Sequence, residues 1–183
     1  IEQFEASGYR KFFLAINHHA EQIVKHFGDG SKLGVEIRYL RERKRLGTAG
    51  ALSLLPSIPK DPVIVMNGDL LTKVDFPALL RYHEDVGRKA TVCVREYDFQ
   101  VPYGVVQMDG KQRLKKIIEK PTQRFFVNAG IYALDPGALR LVPRGRYFDM
   151  TALIEKIKGR RGSVGCFPIR EYWIDIGQPD DYQ

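Results

Sequence analysis

No segment constrains the chain more than Val63-Ile64-Val65-Met66-Asn67-Gly68-Asp69. A run of four apolar residues that stops at small polar ones reads as a parallel strand buried on both faces. In open α/β sheets ligands bind beyond the carboxyl ends of the strands, which is where Asp69 stands. The surrounding segments agree. Phe12-Phe13-Leu14-Ala15-Ile16 is another apolar strand. Ala20, Ile23, Val24 and Phe27 then repeat at i, i+3, i+4, i+7, an amphipathic helix that stops at Gly28. Residues 35–40 alternate apolar and polar, as in a strand nearer a sheet edge, and 49–55 form a short helix ended by Pro56. A helix follows with Phe76, Leu79, Leu80 and Val86 on one face, and then a buried strand at 90–94. Strand and helix in alternation imply right-handed βαβ units and a largely parallel sheet.

The second half changes character. Residues 104–108, a turn at Asp109-Gly110 and residues 114–119 read as a hairpin. A strand at 125–134, a helix marked by Met150, Leu153, Ile154 and Ile157, and strands at 163–167 and 172–176 complete the pattern. The expectation is one α/β domain over residues 1–183 with an antiparallel appendage. Its opening, Ile1-Glu2-Gln3-Phe4-Glu5-Ala6, reads as the tail of a helix already under way, so upstream residues are expected.

Composition narrows the function classes. Nothing approaches the roughly 18 apolar residues of a membrane span, and no secretory signal opens the chain, so a cytoplasmic protein without a membrane partner is expected. Cys93 and Cys166 lie in apolar strand contexts and read as buried free thiols. A net charge of +7 asks for an anionic partner: nucleic acid, a membrane surface or a small phosphorylated ligand. The basic stretches 38–45 and 156–161 lack the spaced aromatics of a single-strand platform and any zinc-finger, helix-turn-helix or RNA-binding signature. No nucleic-acid partner is therefore expected, and salt-dependent DNA binding through 38–45 stays as a rival reading.

Asp175, in Trp173-Ile174-Asp175-Ile176-Gly177, ends a second strand-like segment far downstream of Asp69. Two hard oxygen donors from distant strands suit Mg²⁺ bound together with a phosphate substrate. A turn cap at Asp69 and an arginine partner for Asp175 fit the same letters. Gly28-Asp29-Gly30-Ser31-Lys32 lacks P-loop spacing, and His18, His19, His26 and His83 read mostly as helix-surface or helix-end residues, without metal spacing or a paired nucleophile.

Taken in order, Leu46-Gly47-Thr48-Ala49-Gly50-Ala51-Leu52, Asn67-Gly68-Asp69, Tyr103-Gly104-Val105-Val106, Glu119-Lys120-Pro121, Asn128-Ala129-Gly130 and Trp173-Ile174-Asp175-Ile176-Gly177 resemble the sugar-1-phosphate nucleotidylyltransferases over essentially the whole chain. The wording is similar to the mannose- or heptose-1-phosphate guanylyltransferase branch, notably members with upstream regulatory CBS domains. The resemblance implies a Rossmann-like, doubly wound α/β domain with a mostly parallel sheet. It also implies transfer of a nucleoside monophosphate from a nucleoside triphosphate, GTP by the wording, to a sugar 1-phosphate, with Mg²⁺ as cofactor. Asp69, Lys120 and Asp175 become catalytic, with Asp69 and Asp175 the metal ligands. Leu46, Gly47, Thr48, Ala49, Asn67 and Gly68 become nucleotide-binding. Tyr103, Gly104, Glu119, Lys120, Asn128, Gly130 and Trp173 become sugar-binding, with Lys120 on the sugar phosphate.

Each residue keeps a plainer reading: Thr48 as a helix cap, Glu119-Lys120 as a surface pair, Trp173 as a core anchor. The family's glycine-rich loop and first strand are not in the sequence. That departure leaves a catalytically silent regulatory or assembly module as the rival. A homo-oligomer is left open.

Overall fold

The computed structural model describes residues 1–159 and 164–177. In chain order it contains α1 (Glu2–Ala6), β1 (Lys11–Ile16), α2 (Ala20–Phe27), β2 (Glu36–Arg41), α3 (Gly47–Gly50), β3 (Val63–Met66), β4 (Leu70–Thr72), α4 (Phe76–Asp85), β5 (Ala90–Gln100), β6 (Val105–Met108), β7 (Leu114–Ile118), β8 (Thr122–Leu134), α5 (Pro136–Leu139), α6 (Met150–Gly159), β9 (Val164–Ile169) and β10 (Trp173–Asp175). Short 3₁₀ turns occupy Ser31–Leu33 and Ala51–Leu54.

The central sheet has the order β3-β8-β5-β9. Strands β3, β5 and β9 share one direction, and β8 runs against them between β3 and β5. Alternation along the strands divides the core. Val63, Val65, Tyr132 and Leu134 meet Met150, Leu153 and Ile157 of α6 on one face. Ile64, Met66, Ile131 and Ala133 meet Phe76 and Leu79 of α4 on the other. Helices on both faces make this a doubly wound α/β domain. Strands β1 and β2 pair in parallel as a separate ladder, from Lys11 opposite Glu36 to Ile16 opposite Arg41. Phe4 of α1 stacks on Phe76 at a centroid distance of 3.8 Å, tying the first helix to the α4 face.

Local signals explain most boundaries. Asp75 accepts the Ala78 amide at 2.8 Å and starts α4, with Pro77 in the first turn. The hairpin β6–β7 turns where Asp109 Oδ1 accepts the Lys111 and Arg113 amides at 2.8 and 3.0 Å.

Several expectations need correction. Residues 63–66 are half-buried rather than fully buried, because β3 is hydrogen-bonded to β8 alone among the described residues. Cys166 is exposed while Cys93 is buried, since among the described residues β9 is an edge strand paired only with β5. His83 is not at a helix surface: it is 2% exposed, with Nδ1 2.9 Å from Thr91 Oγ1. The strands at 90–94 and 125–134 extend to Gln100 and back to Thr122, forming a two-stranded ribbon beyond the core. Strand β4 was hidden by its length, and β10 is shorter than 172–176. Ser163 and Arg160-Arg161, named in the sequence reading, lie outside the described residues.

Candidate active site

The aspartates meet through a ladder that the sequence pattern did not reveal. Chain leaving β3 at Met66 turns through Asn67-Gly68-Asp69 into β4, which pairs antiparallel with β10. Asp175 lies opposite Leu70, and the Ile176 amide donates to the Asp69 carbonyl at 2.9 Å. A Cβ built on Gly177 would lie 2.9 Å from Asp69 Oδ2 and 3.0 Å from Asp175 Oδ1. The two carboxylates therefore border one small space that a side chain at 177 would fill. The Gly177 amide also donates to Asp175 Oδ1 at 2.9 Å, fixing that carboxylate. Both aspartates are solvent-exposed. Among the described residues no third histidine, cysteine or acidic side chain joins them. Such a centre would draw its remaining oxygen ligands from water and substrate, as Mg²⁺ sites on phosphates usually do.

A β-bulge supports this corner. The β5–β8 register shifts between Val92, opposite Tyr132, and Val94, opposite Asn128. Gly130 sits in the irregularity with φ 69°. The Asn67 amide donates to the Gly130 carbonyl at 3.0 Å, and a Cβ on Gly130 would lie 2.9 Å from Asn67 Nδ2. Gly130 is thus required twice, by backbone conformation and by Asn67. The Asn128 side chain is engaged at both ends, accepting the Gly130 amide at 3.0 Å and donating to the Tyr132 hydroxyl at 2.7 Å. Trp173 Nε1 donates to the Ala129 carbonyl at 2.8 Å, pinning β10 against the bulge while its ring packs on the core. That arrangement matches the anchor reading of Trp173. Asn67, Gly68, Asp69, Asn128, Gly130, Trp173 and Asp175 thus cluster at the carboxyl end of β3.

The segment Leu46–Gly50 forms a second corner, beyond the end of β2. Its glycines admit protein backbone: a Cβ on Gly47 would lie 2.7 Å from Asp149 Oδ1, and one on Gly50 2.9 Å from the Arg146 carbonyl. The Thr48 amide donates to Asp149 Oδ1 at 3.1 Å, and the Ala49 and Gly50 amides donate to the Phe148 carbonyl at 3.0 and 2.9 Å. Thr48 Oγ1 accepts the Met150 amide at 2.8 Å, so its hydroxyl caps α6 and not its own helix. Leu46 and Ala49 are buried. The Thr48 amide beside Asp149, seconded by the Tyr147 hydroxyl, holds that carboxyl below the usual aspartate range. Asp149 escaped sequence reading: an acidic residue before a helix signals a cap, but its partner Thr48 lies 101 positions away.

Glu119 and Lys120 form a third corner. Glu119 Oε2 would lie 3.0 Å from a Cβ on Gly104, so the space beside that glycine holds a carboxylate. Lys120, with φ 42°, sits just before β8 and next to the end of β5, where Gln100 Nε2 donates to the Lys120 carbonyl at 3.3 Å. Gln100 pairs with Thr122 and Val94 with Asn128, so extended chain of roughly 20 Å separates this corner from the bulge. Tyr103 is 74% exposed nearby in the chain. The structure brings the aspartates together and leaves Lys120 at the outer end of the ribbon.

The family model for Nucleotidyl transferase matches residues 1–183. This chain belongs to the nucleotidyl transferase family. Mannose-1-phosphate guanylyltransferase catalytic subunit beta of Drosophila pseudoobscura pseudoobscura is 32% identical over 195 residues, covering 100% of this chain and 51% of the fly protein. Mannose-1-phosphate guanylyltransferase 1 of Arabidopsis thaliana is 32% identical over 192 residues, covering 100% of this chain and 52% of the plant protein. This nucleotidyl transferase chain spans about half the length of those relatives. Crystal structures of HddC from Yersinia pseudotuberculosis share the fold, with TM-score 0.73, 24% identity, and coverage of 99% of this chain and 79% of that one. A second HddC structure, complexed with GMP-PN, superposes at TM-score 0.71. Among the described residues no helix is long and apolar enough to cross a membrane.

Proposed function

We propose that this chain is the nucleotidyl-transfer domain of a sugar-1-phosphate nucleotidylyltransferase that prefers GTP. An oxygen of the sugar 1-phosphate bonds to the α-phosphorus of the triphosphate. The bond from that phosphorus to the bridging oxygen breaks, and pyrophosphate leaves with the electron pair. The nucleophile is already anionic, so no general base is required, and catalysis rests on positioning and charge neutralisation. The observation that carries this reading is the pairing of Asp69 and Asp175 around the space at Gly177.

Hard carboxylate oxygens beside an open space fit Mg²⁺, which Asp69 and Asp175 would hold and which would supply positive charge at the α-phosphate. The base is assigned to the 46–50 loop, although the Thr48, Ala49 and Gly50 amides already have protein partners. The guanylyltransferase names of the relatives and the GMP-PN bound to HddC support a guanine nucleotide. The sugar phosphate is assigned to Glu119 and Lys120, a role that needs the ribbon to bend toward the bulge when substrate binds. A cytoplasmic setting suits the free thiols of Cys93 and Cys166.

Strands β1 and β3 each hydrogen-bond to a single neighbour among the described residues. A cavity of about 530 Å³ lined by Phe4, Phe27, Leu33, Met66, Leu70 and Leu71 lies beside β3.

Calorimetric titration with GDP-mannose and with UDP-glucose, with and without Mg²⁺, tests the function. Mg²⁺-dependent binding of one nucleotide sugar, lost in Asp175→Asn, is expected. Binding of neither by the full-length protein rejects the reading, and binding without turnover of GTP and mannose 1-phosphate identifies a silent module.

A further inference from the structure

The 46–50 loop and the entry to α6 exchange their caps. By position Asp149 is the N-cap of α6, since the Leu153 amide donates to its carbonyl at 3.0 Å. An aspartate there ordinarily turns its carboxylate onto the first amides of its own helix. Here Asp149 Oδ1 instead takes the Thr48 amide at 3.1 Å, with Thr48 Oγ1 a further 3.4 Å contact. The Thr48 hydroxyl in return takes the Met150 amide at 2.8 Å. The N-cap position of α3 is Leu46, which has no side-chain acceptor, so the exchange both caps that turn and fixes one segment against the other. Gly47 is part of the same device. It adopts φ 78°, and any side chain there would meet Asp149 Oδ1 at 2.7 Å and the Phe148 carbonyl at 2.8 Å. Backbone bonds from Phe148 to Leu46, at 2.7 Å, and from Ala49 and Gly50 to Phe148 close the latch.

We propose that Asp149 is a positioning residue for the nucleotide: through Thr48 and the bare Cα of Gly47 it holds the 46–50 loop in the conformation that receives the base. This rests on the reading of 46–50 as the nucleotide loop. Asp149 acts through the loop and touches neither phosphate nor sugar. Removing it should weaken nucleotide binding while leaving the affinity for sugar phosphate alone unchanged. The Asn variant keeps an oxygen at Oδ1 and with it the bond to the Thr48 amide. A purely structural cap would lower the thermal midpoint without separating the two affinities.

The test is calorimetric binding of GDP-mannose and of mannose 1-phosphate, each with Mg²⁺, to the full-length wild type and to Asp149→Ala, Asp149→Asn and Gly47→Ala. Asp149→Ala is expected to weaken GDP-mannose about tenfold or more and Asp149→Asn about threefold at most, as for groups that support a ligating residue. Gly47→Ala attacks the same contact from the loop side and should match Asp149→Ala, which keeps the test decisive if the latter fails to fold. Equal GDP-mannose affinity in wild type and in Asp149→Ala or Gly47→Ala overturns this inference alone. A wild type that binds no nucleotide sugar overturns it together with the functional reading.

Discussion

Strands β5 and β8 run through two regions that differ in every respect except sequence pattern. Their inner halves lie in the central sheet, where Ala90, Cys93, Ala129, Ile131, Ala133 and Leu134 are fully covered. Their outer halves form a ribbon, with the β6–β7 hairpin following β5 in the chain, on which Tyr97, Phe99, Phe125 and Phe126 stay 47–67% exposed. Apolar residues occur in both. What differs is the presence of α4 and α6 over the faces of the inner half. The difference carries over to the site: the bulge and its aspartates rest on the rigid inner half, Glu119 and Lys120 on the uncovered outer one. A strand pair can therefore carry a covered bulge beside the aspartates at one end and an exposed Glu119–Lys120 corner at the other.

The largest effect expected from this contrast concerns stability. Ile131→Ala, in the covered half, should cost about 2–5 kcal/mol in denaturant unfolding, because a closed core cannot collapse around the cavity. A cost below about 1 kcal/mol would show that the inner half is as loose as the ribbon.

Next comes Lys120→Gly. The left-handed backbone at φ 42° strains a lysine by about 1–2 kcal/mol, so glycine should leave stability level or raise it. If Lys120 grips the sugar phosphate, its loss should nevertheless weaken mannose 1-phosphate about tenfold, as removal of a charge-assisted contact does. Unchanged affinity would assign the lysine to the surface-pair role.

A smaller effect is expected with pH. Burial lowers the affinity of His83 for a proton, helped by Lys89 and opposed by Asp135 and Glu84. The folded state thus prefers the neutral ring. The unfolded chain binds the proton first as pH falls, so this contribution is complete above the ordinary histidine range and is lost on acidification through it. The thermal midpoint should fall between about pH 8 and about pH 5, and His83→Gln should flatten that fall. An identical slope in the variant would acquit His83. Smallest of all, Phe126→Ser on the ribbon should change stability by less than about 0.5 kcal/mol in the same unfolding assay used for Ile131→Ala. A larger loss would mean that something covers the ribbon in solution.

The alternation of strands and helices was legible because amphipathic periods report which face of an element meets the core. It located α2, α4 and α6 and β1, β2 and β3, whose apolar spacing is long or unbroken, although β3 pairs antiparallel with β8 and is half-buried instead of being a parallel strand covered on both faces. It missed β4, where Leu70–Thr72 is too short to show a period, and with it the ladder that joins the aspartates. It also misjudged Cys166 and His83, because exposure in a strand or helix depends on the neighbour rather than on the residue. The candidate site residues were legible as motifs, yet their contacts within the protein were not. Gly50, Gly104 and Gly130 make room for the protein's own Arg146, Glu119 and Asn67.

By itself the sequence determined an α/β domain of the nucleotidyl transferase type, with carboxylates at the ends of strand-like segments, because hydrophobic periodicity and short motifs are local properties. Tertiary structure decided what no local pattern contains. It set Asp69 against Asp175, turned Asp149 onto Thr48, and placed Lys120 at the far end of the ribbon. Those outcomes depend on register, on a single bulge at Gly130 and on which sheet faces the helices cover, and each is a contact between residues distant in the chain.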